Sequence, residues 1–550
     1  MCKQLHILFA SAWKIISVDM LMIRVLFMQG AEGEGNMDIR PRDTSCIAQV
    51  TLGELNLTGS GVLIAILDSG IDYFSEEFQD RDGNTRILEL WDQTAVPNEE
   101  RGLLPPEGYR EGVLYTREMI NEALNIARTQ GNPSAVDDNG FLQGRQLLNE
   151  QAGLQVVSQR DTSGHGTAVA GIAAGTTIGV APWAELLIIK LGNPMEGGFP
   201  RTTQLMRGVN YAVNRAVDLN MPLVINLSFG NTYGDHRGNS LLERFLDNVS
   251  EIGRTSIVVG SGNEGTSNGH TAGVALEPTT IELAVSLYER SLSIQLWKHF
   301  DDQFRLRIES PGGEEMLLEL GELETVRKTL EQTLLLCYVG VPQPYSVNQE
   351  VFIDFIAQNT YINDGIWKLE LLPVDVVTGE YRFYLPSYVV RNEGTGFYLP
   401  TSDVTLTIPS TSMRAITVGA YDSIQQSYAD FSGRGYVYRY EEGRRNTNPQ
   451  GIAFVKPDIV APGVNIQAPR VGGGYESVTG TSFATPIVAG SAALLMEWGI
   501  VRGNDRFLYG EKLKAYLRAG ARPIRGESEY PNERVGWGAL CVADSIPTYI

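Results

Sequence analysis

Five short apolar runs recur along the chain without the alternation of a half-exposed strand: residues 62–67 (VLIAIL), 186–189 (LLII), 224–227 (VINL), 257–259 (IVV) and 416–418 (ITV). Runs this short and this continuous predict strands of a parallel sheet covered by helices on both faces. Two stretches rich in small apolar residues, 165–175 and 487–495, predict tightly packed buried helices, and 117–128 predicts another helix. Between residues 271 and 402 the period changes. Segments 291–297 (SLSIQLW), 304–308 (FRLRI), 351–355 (VFIDF) and 365–371 (GIWKLEL) alternate apolar and polar positions with no long helix between them. A β-sandwich or jelly roll is expected there. The fold class is therefore α/β: a doubly wound parallel-sheet domain, in two parts at 46–270 and 403–550, interrupted by an all-β insert at 271–402 and preceded by an extension at 1–45.

Composition narrows the partners. A net charge of −21 over 550 residues argues against nucleic acid and anionic membranes and favours cationic peptide segments. The four cysteines, Cys2, Cys46, Cys337 and Cys541, are scattered with no Cys-x-x-Cys spacing, and support neither a disulfide framework nor a zinc site. Residues 5–28 are apolar but broken by Lys14, Asp19 and Arg24, so they form no uninterrupted membrane-length span and no clean signal peptide.

The candidate chemistry sits where the predicted elements end. Ser482, in Gly480-Thr481-Ser482-Phe483-Ala484-Thr485-Pro486, opens a predicted helix, where unpaired N–H groups and the positive end of the helix dipole would stabilise an oxyanion. A serine at a helix start is ordinarily a cap, so partners are required. Of the five histidines, only His165 has a comparable setting, flanked by Gly164 and Gly166 at the start of the other small-residue helix. Asp68 follows the run 62–67, at the carboxyl end of a buried strand, where open α/β sheets place their sites.

These blocks, Asp68-Ser69-Gly70-Ile71-Asp72, Gly164-His165-Gly166-Thr167, Ser261-Gly262-Asn263-Glu264-Gly265 and Gly480-Thr481-Ser482, resemble in content and order the signature blocks of the subtilisin-like serine peptidases, with Lys456 to Gly463 as a further match. The resemblance implies a serine endopeptidase acting on protein or peptide substrates through an acyl-enzyme. Ser482 would be the nucleophile, His165 the general base, Asp68 its orienting carboxylate and Asn263 an oxyanion donor. Ser228, Phe229 and Gly230 would form the substrate-binding edge. Ala168 and Ile487 stand where most relatives carry further histidines, neither at a triad position.

The run from Ala173 to Pro182 lacks the longer loop that holds calcium in many secreted relatives, so no cofactor or metal is expected to be required. Asp80-Arg81-Asp82-Gly83-Asn84 begins like a calcium loop, but Trp91 stands at its twelfth position, and a polar turn is expected instead. Residues 86–94 and the β insert resemble the clostridial Csp germination-protease branch, which implies an intracellular or spore-associated setting. Members of that branch that have lost triad residues supply the alternative, a non-proteolytic regulatory protein on the same scaffold. Many subtilases carry a propeptide; here the extension implies either a remnant or, before Met37, a start-site artefact.

Overall fold

In a computed structural model, described for residues 40–129, 157, 159–192, 201–321, 323–341, 344, 346–438 and 454–547, the apolar runs lie side by side. Residues 1–39, which include the expected propeptide remnant, lie outside the described residues. The strands are β1 (Leu63–Asp68), β2 (Ile87–Asp92), β3 (Val113–Thr116), β4 (Glu185–Lys190), β5 (Leu223–Leu227), β6 (Thr255–Gly260) and, past the insert, Ile416–Asp422. Across the sheet the order is Ile416–Asp422, β6, β5, β1, β4, β2, β3, with Ile459–Pro462 also paired to the first of these. The inner pairs are parallel, whereas β3 and Ser427–Tyr428 add antiparallel edges.

The continuity of the apolar runs follows from burial on both faces. In β1, Ile64 and Ile66 enter the core beneath helices His165–Ala174 and Thr481–Met496, while Leu63, Ala65 and Leu67 enter the opposite core beneath Thr202–Asp218 and Leu241–Val249. Small residues let the first helix pair approach. A Cβ on Gly490 would lie 2.7 Å from the Ala173 carbonyl oxygen, and one on Gly171 would lie 2.2 Å from Pro469 Cγ. Neither contact is sterically tolerable, so Gly490 sets the spacing of the two helices and Gly171 admits the strand Ile466–Pro469 against the first of them.

The insert is a sandwich of two antiparallel sheets. Its strands are β7 (His270–Val274), β8 (Thr279–Val285), β9 (Ser291–His299), β10 (Gln303–Glu309), β11 (Glu315–Glu319), β12 (Glu324–Leu330), β13 (Thr333–Val339), β14 (Asn348–Ala357), β15 (Gly365–Asp375), β16 (Glu380–Tyr384) and β17 (Gly396–Phe397). One sheet runs β11-β10-β15-β8-β17 and the other β12-β13-β14-β9-β16-β7. Alternate residues, among them Ile294, Leu306, Ile353, Phe355, Trp367 and Leu369, fill a separate core between them. The seam with the α/β domain holds a stack in which the Tyr384 ring lies between His236 and His270, at centroid distances of 4.0 and 4.3 Å.

The cysteine expectation is corrected here. Cys46 and Cys541 form a disulfide across a sequence separation of 495 residues, tying the described amino-terminal helices to the carboxyl-terminal segment. Close spacing was the wrong criterion, because the fold alone brings the two ends together. Cys337 is free and buried.

Candidate active site

Asp68 ends β1 and is almost wholly buried. Its Oδ1 accepts the Ser69 N–H at 2.7 Å and faces His165 Nδ1 at 2.8 Å, while its Oδ2 is buried without a hydrogen-bond partner. With an acidic acceptor on Nδ1, the proton of a neutral imidazole belongs there, leaving Nε2 as the basic nitrogen. His165 is the first residue of its helix, after Gly164 in a left-handed conformation (φ 77°). Gly166 brings this helix against β1: a Cβ there would meet the Gly70 carbonyl oxygen at 2.2 Å and Asp68 Cβ at 3.2 Å.

A second carboxylate supports the same corner. Asp161 accepts from Gly164 N–H, from Thr167 N–H and Oγ1, and from Ser69 Oγ, at 2.7–3.0 Å. Its charge lies at the amino end of the histidine helix, where the dipole favours an anion. Burial disfavours the imidazolium of His165, but Asp68, with Asp161 adding to it, outweighs that cost and holds the histidine pKa above its ordinary value.

Ser482 lies in the first turn of Thr481–Met496, among N–H groups that have no intrahelical acceptor. Four residues on, Pro486 has no N–H to donate to the Ser482 carbonyl. Ser228 Oγ donates to that carbonyl instead, at 2.9 Å, and Asn226 Nδ2 in turn donates to Ser228 Oγ at 2.9 Å. The Ser482 hydroxyl donates to the Ser228 carbonyl at 2.9 Å. His165 and Phe483 rings lie 5.5 Å apart, which brings the two helix starts together.

Asn263 completes the cluster. Its Oδ1 accepts the Thr481 N–H at 3.0 Å and the Thr481 hydroxyl at 3.1 Å, which fixes the amide with Nδ2 as the donor end beside Gly480. The Asn263 side chain also hydrogen-bonds Tyr388, a residue of the inserted segment. Next to it, Ser387 Oγ donates to Glu264 Oε1. Tyr388 had no signal in the sequence, since nothing in its neighbours marks it and its contact is made across more than one hundred residues of chain.

The expected residues Asp68, His165, Asn263 and Ser482 therefore converge, drawn from four separated blocks. Of the expected substrate edge, Ser228 has a buried side chain that braces the Ser482 carbonyl, and Phe229 packs on the apolar layer. Gly230 lies where a Cβ would sit 2.3 Å from Thr407 Oγ1. The segment 176–179 is closed by Glu77, whose carboxylate accepts the Thr177 and Ile178 N–H groups. Asp80 forms a tight turn, accepting the Asp82 and Asn84 N–H groups at 2.9 Å each. The apolar helix over 481–501 is long enough to span a membrane but is a core helix, 89% buried.

Comparison with known proteins places this cluster in a family. The Subtilase family model matches residues 59–295 and 392–538, on either side of most of the insert. The chain is 24% identical over 525 residues to the minor extracellular protease Vpr of Bacillus subtilis, covering 90% of this chain and 52% of Vpr. It is 22% identical over 490 residues to the PI-type proteinase of Lactococcus lactis subsp. cremoris, covering 83% of this chain and 23% of that proteinase. The chain thus spans about a quarter to a half of the length of these curated relatives. The solved structure of the Clostridium perfringens CspB protease is 32% identical, with a TM-score of 0.76, covering 92% of this chain and 96% of that one. Its likeness extends through the insert and supports the Csp branch. With the motif blocks, the doubly wound sheet and the family match all coinciding, the chain belongs to the subtilase family.

Proposed function

We propose that this chain is a serine endopeptidase, with Ser482 as nucleophile, His165 as general base and Asp68 as the carboxylate that orients it. The observation that carries the reading is the Asp68–His165 hydrogen bond at 2.8 Å, set beside a serine at a helix start and a side-chain amide whose donor end lies beside Gly480. The Ser482 hydroxyl turns from Ser228 to His165 Nε2, loses its proton to that nitrogen and attacks the scissile carbonyl carbon. The new oxyanion is stabilised by the Ser482 N–H and by Asn263 Nδ2. His165 then returns the proton to the leaving amine, and water repeats the sequence to release the acyl group. Asp68 stays ionised throughout and stabilises the imidazolium.

Backbone beyond β5, at Ser228 to Gly230, receives an extended peptide as an added strand. The chemistry needs no metal, and calcium is not required for the fold near 176–179, where Glu77 occupies the turn. The relation to CspB and the retention of all four site residues favour a peptidase over a silent scaffold.

The test is turnover of a peptide substrate. Ser482→Ala is expected to lose ~10⁶ in kcat, the magnitude known for subtilisin of this same family, and Asn263→Ala ~10²–10³, again the subtilisin magnitude. Wild-type turnover in Ser482→Ala would refute the assignment.

A further inference from the structure

The outer face of the sheet containing β13, β14 and β9 carries an open concavity of about 430 Å³ lined by Tyr233, Gln295, Tyr338, Glu350 and Phe352. Strand register builds most of it. Tyr338 lies directly opposite Phe352, and Phe352 directly opposite Gln295, so three side chains form a row across three strands. The fourth wall comes from the α/β domain: Tyr233 leans onto this face, its ring 6.3 Å from Phe352 and its hydroxyl 3.1 Å from Ser293 Oγ. Tyr233 and Tyr338 keep 40% and 45% of their surface exposed, so the aromatic walls are open to a ligand.

At the base the polar groups are ordered. Gln295 Oε1 accepts from the Gly234 N–H at 3.0 Å and from Trp297 Nε1 at 3.2 Å, which fixes the amide so that Nε2 donates to Glu350 Oε1 at 2.7 Å. Glu350 Oε2 has no hydrogen-bond partner among the described residues. Burial, with the negative Asp235 nearby, raises the Glu350 pKa. Burial likewise pushes Asp354, further along the same strand, up to about 6. The site thus combines three aromatic rings with a carboxylate that has one oxygen left to accept, and with Asp235 nearby.

We infer that this concavity is a subsite for a lysine or arginine side chain of a polypeptide substrate. A cation resting on aromatic faces is attracted by their quadrupoles, and a carboxylate at the end of its stem adds a charge-assisted hydrogen bond. A neutral side chain gains neither, and an acidic one is repelled. The chain's net charge of −21 favours the approach of basic segments in general. The inference rests on the peptidase reading for its substrate. Tyr233 follows Ser228 by five residues of chain, a path of at most about 18 Å, so this wall of the concavity lies within reach of a peptide extended from the catalytic rim.

The experiment uses full-length Ser482→Ala protein, so that bound peptide is not consumed. A set of eicosapeptides carries one arginine walked through successive positions, each paired with the citrulline form, which has the same shape without the charge. At one or two positions the arginine peptide is expected to bind about tenfold tighter than its citrulline partner. Glu350→Gln removes that preference, and Tyr338→Ala, a truncation at the surface, reduces it. No arginine preference at any position, or a preference that survives in both variants, would overturn the inference. Fluorophosphonate labelling of Ser482 in wild-type protein is run in parallel to follow the peptidase reading separately. Unlabelled protein that still discriminates arginine from citrulline through Glu350 would sink the peptidase reading and uphold the basic-side-chain site.

Discussion

The α/β domain and the β insert are both layered around apolar cores, yet they use opposite patterns. In the α/β sheet, Leu63 to Leu67 are all buried because alternate residues feed two cores, one under each helical layer. In the insert, β10 buries Phe304, Leu306 and Ile308 and leaves Gln303 and Arg305 in solvent. A strand covered on both sides can display reactive groups only where it ends, and Asp68 is at such an end, as Asn263 and Ser228 follow β6 and β5. A strand with one open face can display groups along its length, and Gln295, Tyr338, Glu350 and Phe352 are displayed that way. The first pattern concentrates chemistry at one rim; the second offers a broad surface for recognition.

If that division is right, damage to the rim should be far more severe than loss of the insert. His165→Ala should cost ~10⁶ in kcat, the subtilisin magnitude again, while leaving thermal unfolding nearly unchanged; a smaller loss measured on a peptide substrate would move the base elsewhere. Gly166→Ala comes next. Its methyl would collide with the Gly70 carbonyl, so the histidine helix must shift, costing about 1–3 kcal/mol of stability by overpacking and ~10²-fold in rate by misplacing the imidazole. Calorimetry and kinetics on the same preparation check both figures. Replacing 271–402 with a short Gly/Ser linker should leave Ser482 labelling detectable but increase self-digestion or broaden the proteins cut. A replacement unchanged in stability, autolysis and substrate range would make the insert a passive appendage.

The seam between the regions should respond to acid. Burial lowers the pKa of His236 to about 4 and of His270 to about 3, against an ordinary 6.5. The unfolded chain therefore binds more protons than the folded one below pH 6.5, so the stability held by neutral histidines is complete above that value. It is lost as pH falls toward 4, on the order of 3 kcal/mol per histidine. The melting temperature should fall over that window, and less steeply in His236→Gln. The smallest effect concerns His165. Its pKa is raised, so the acid limb of kcat/KM should lie above pH 6.5, and Asp161→Asn should move it lower. A limb unmoved by Asp161→Asn would remove that carboxylate from the account.

Much of the rim was legible in the sequence because its determinants are local. Asp68 closes an apolar run, His165 and Ser482 open small-residue helices, and Pro486 and Gly166 sit at fixed offsets from the residues they serve. The α/β strands and the alternation of the insert were legible for the same reason. What escaped depends on contacts between distant segments. The Cys46–Cys541 disulfide joins residues 495 apart, and Tyr388 reaches Asn263 from the far end of the insert. The stack of His236, Tyr384 and His270 likewise exists only once both regions are folded.

The central claim is that Ser482 is an activated nucleophile, and active-site labelling tests it most directly. Wild-type protein is treated with a fluorophosphonate and the adduct is mapped by peptide mass spectrometry. A single adduct on Ser482, lost in Ser482→Ala and strongly slowed in His165→Ala, is the predicted result. Folded wild-type protein that carries no adduct at Ser482, or that labels equally fast without His165, would contradict the account.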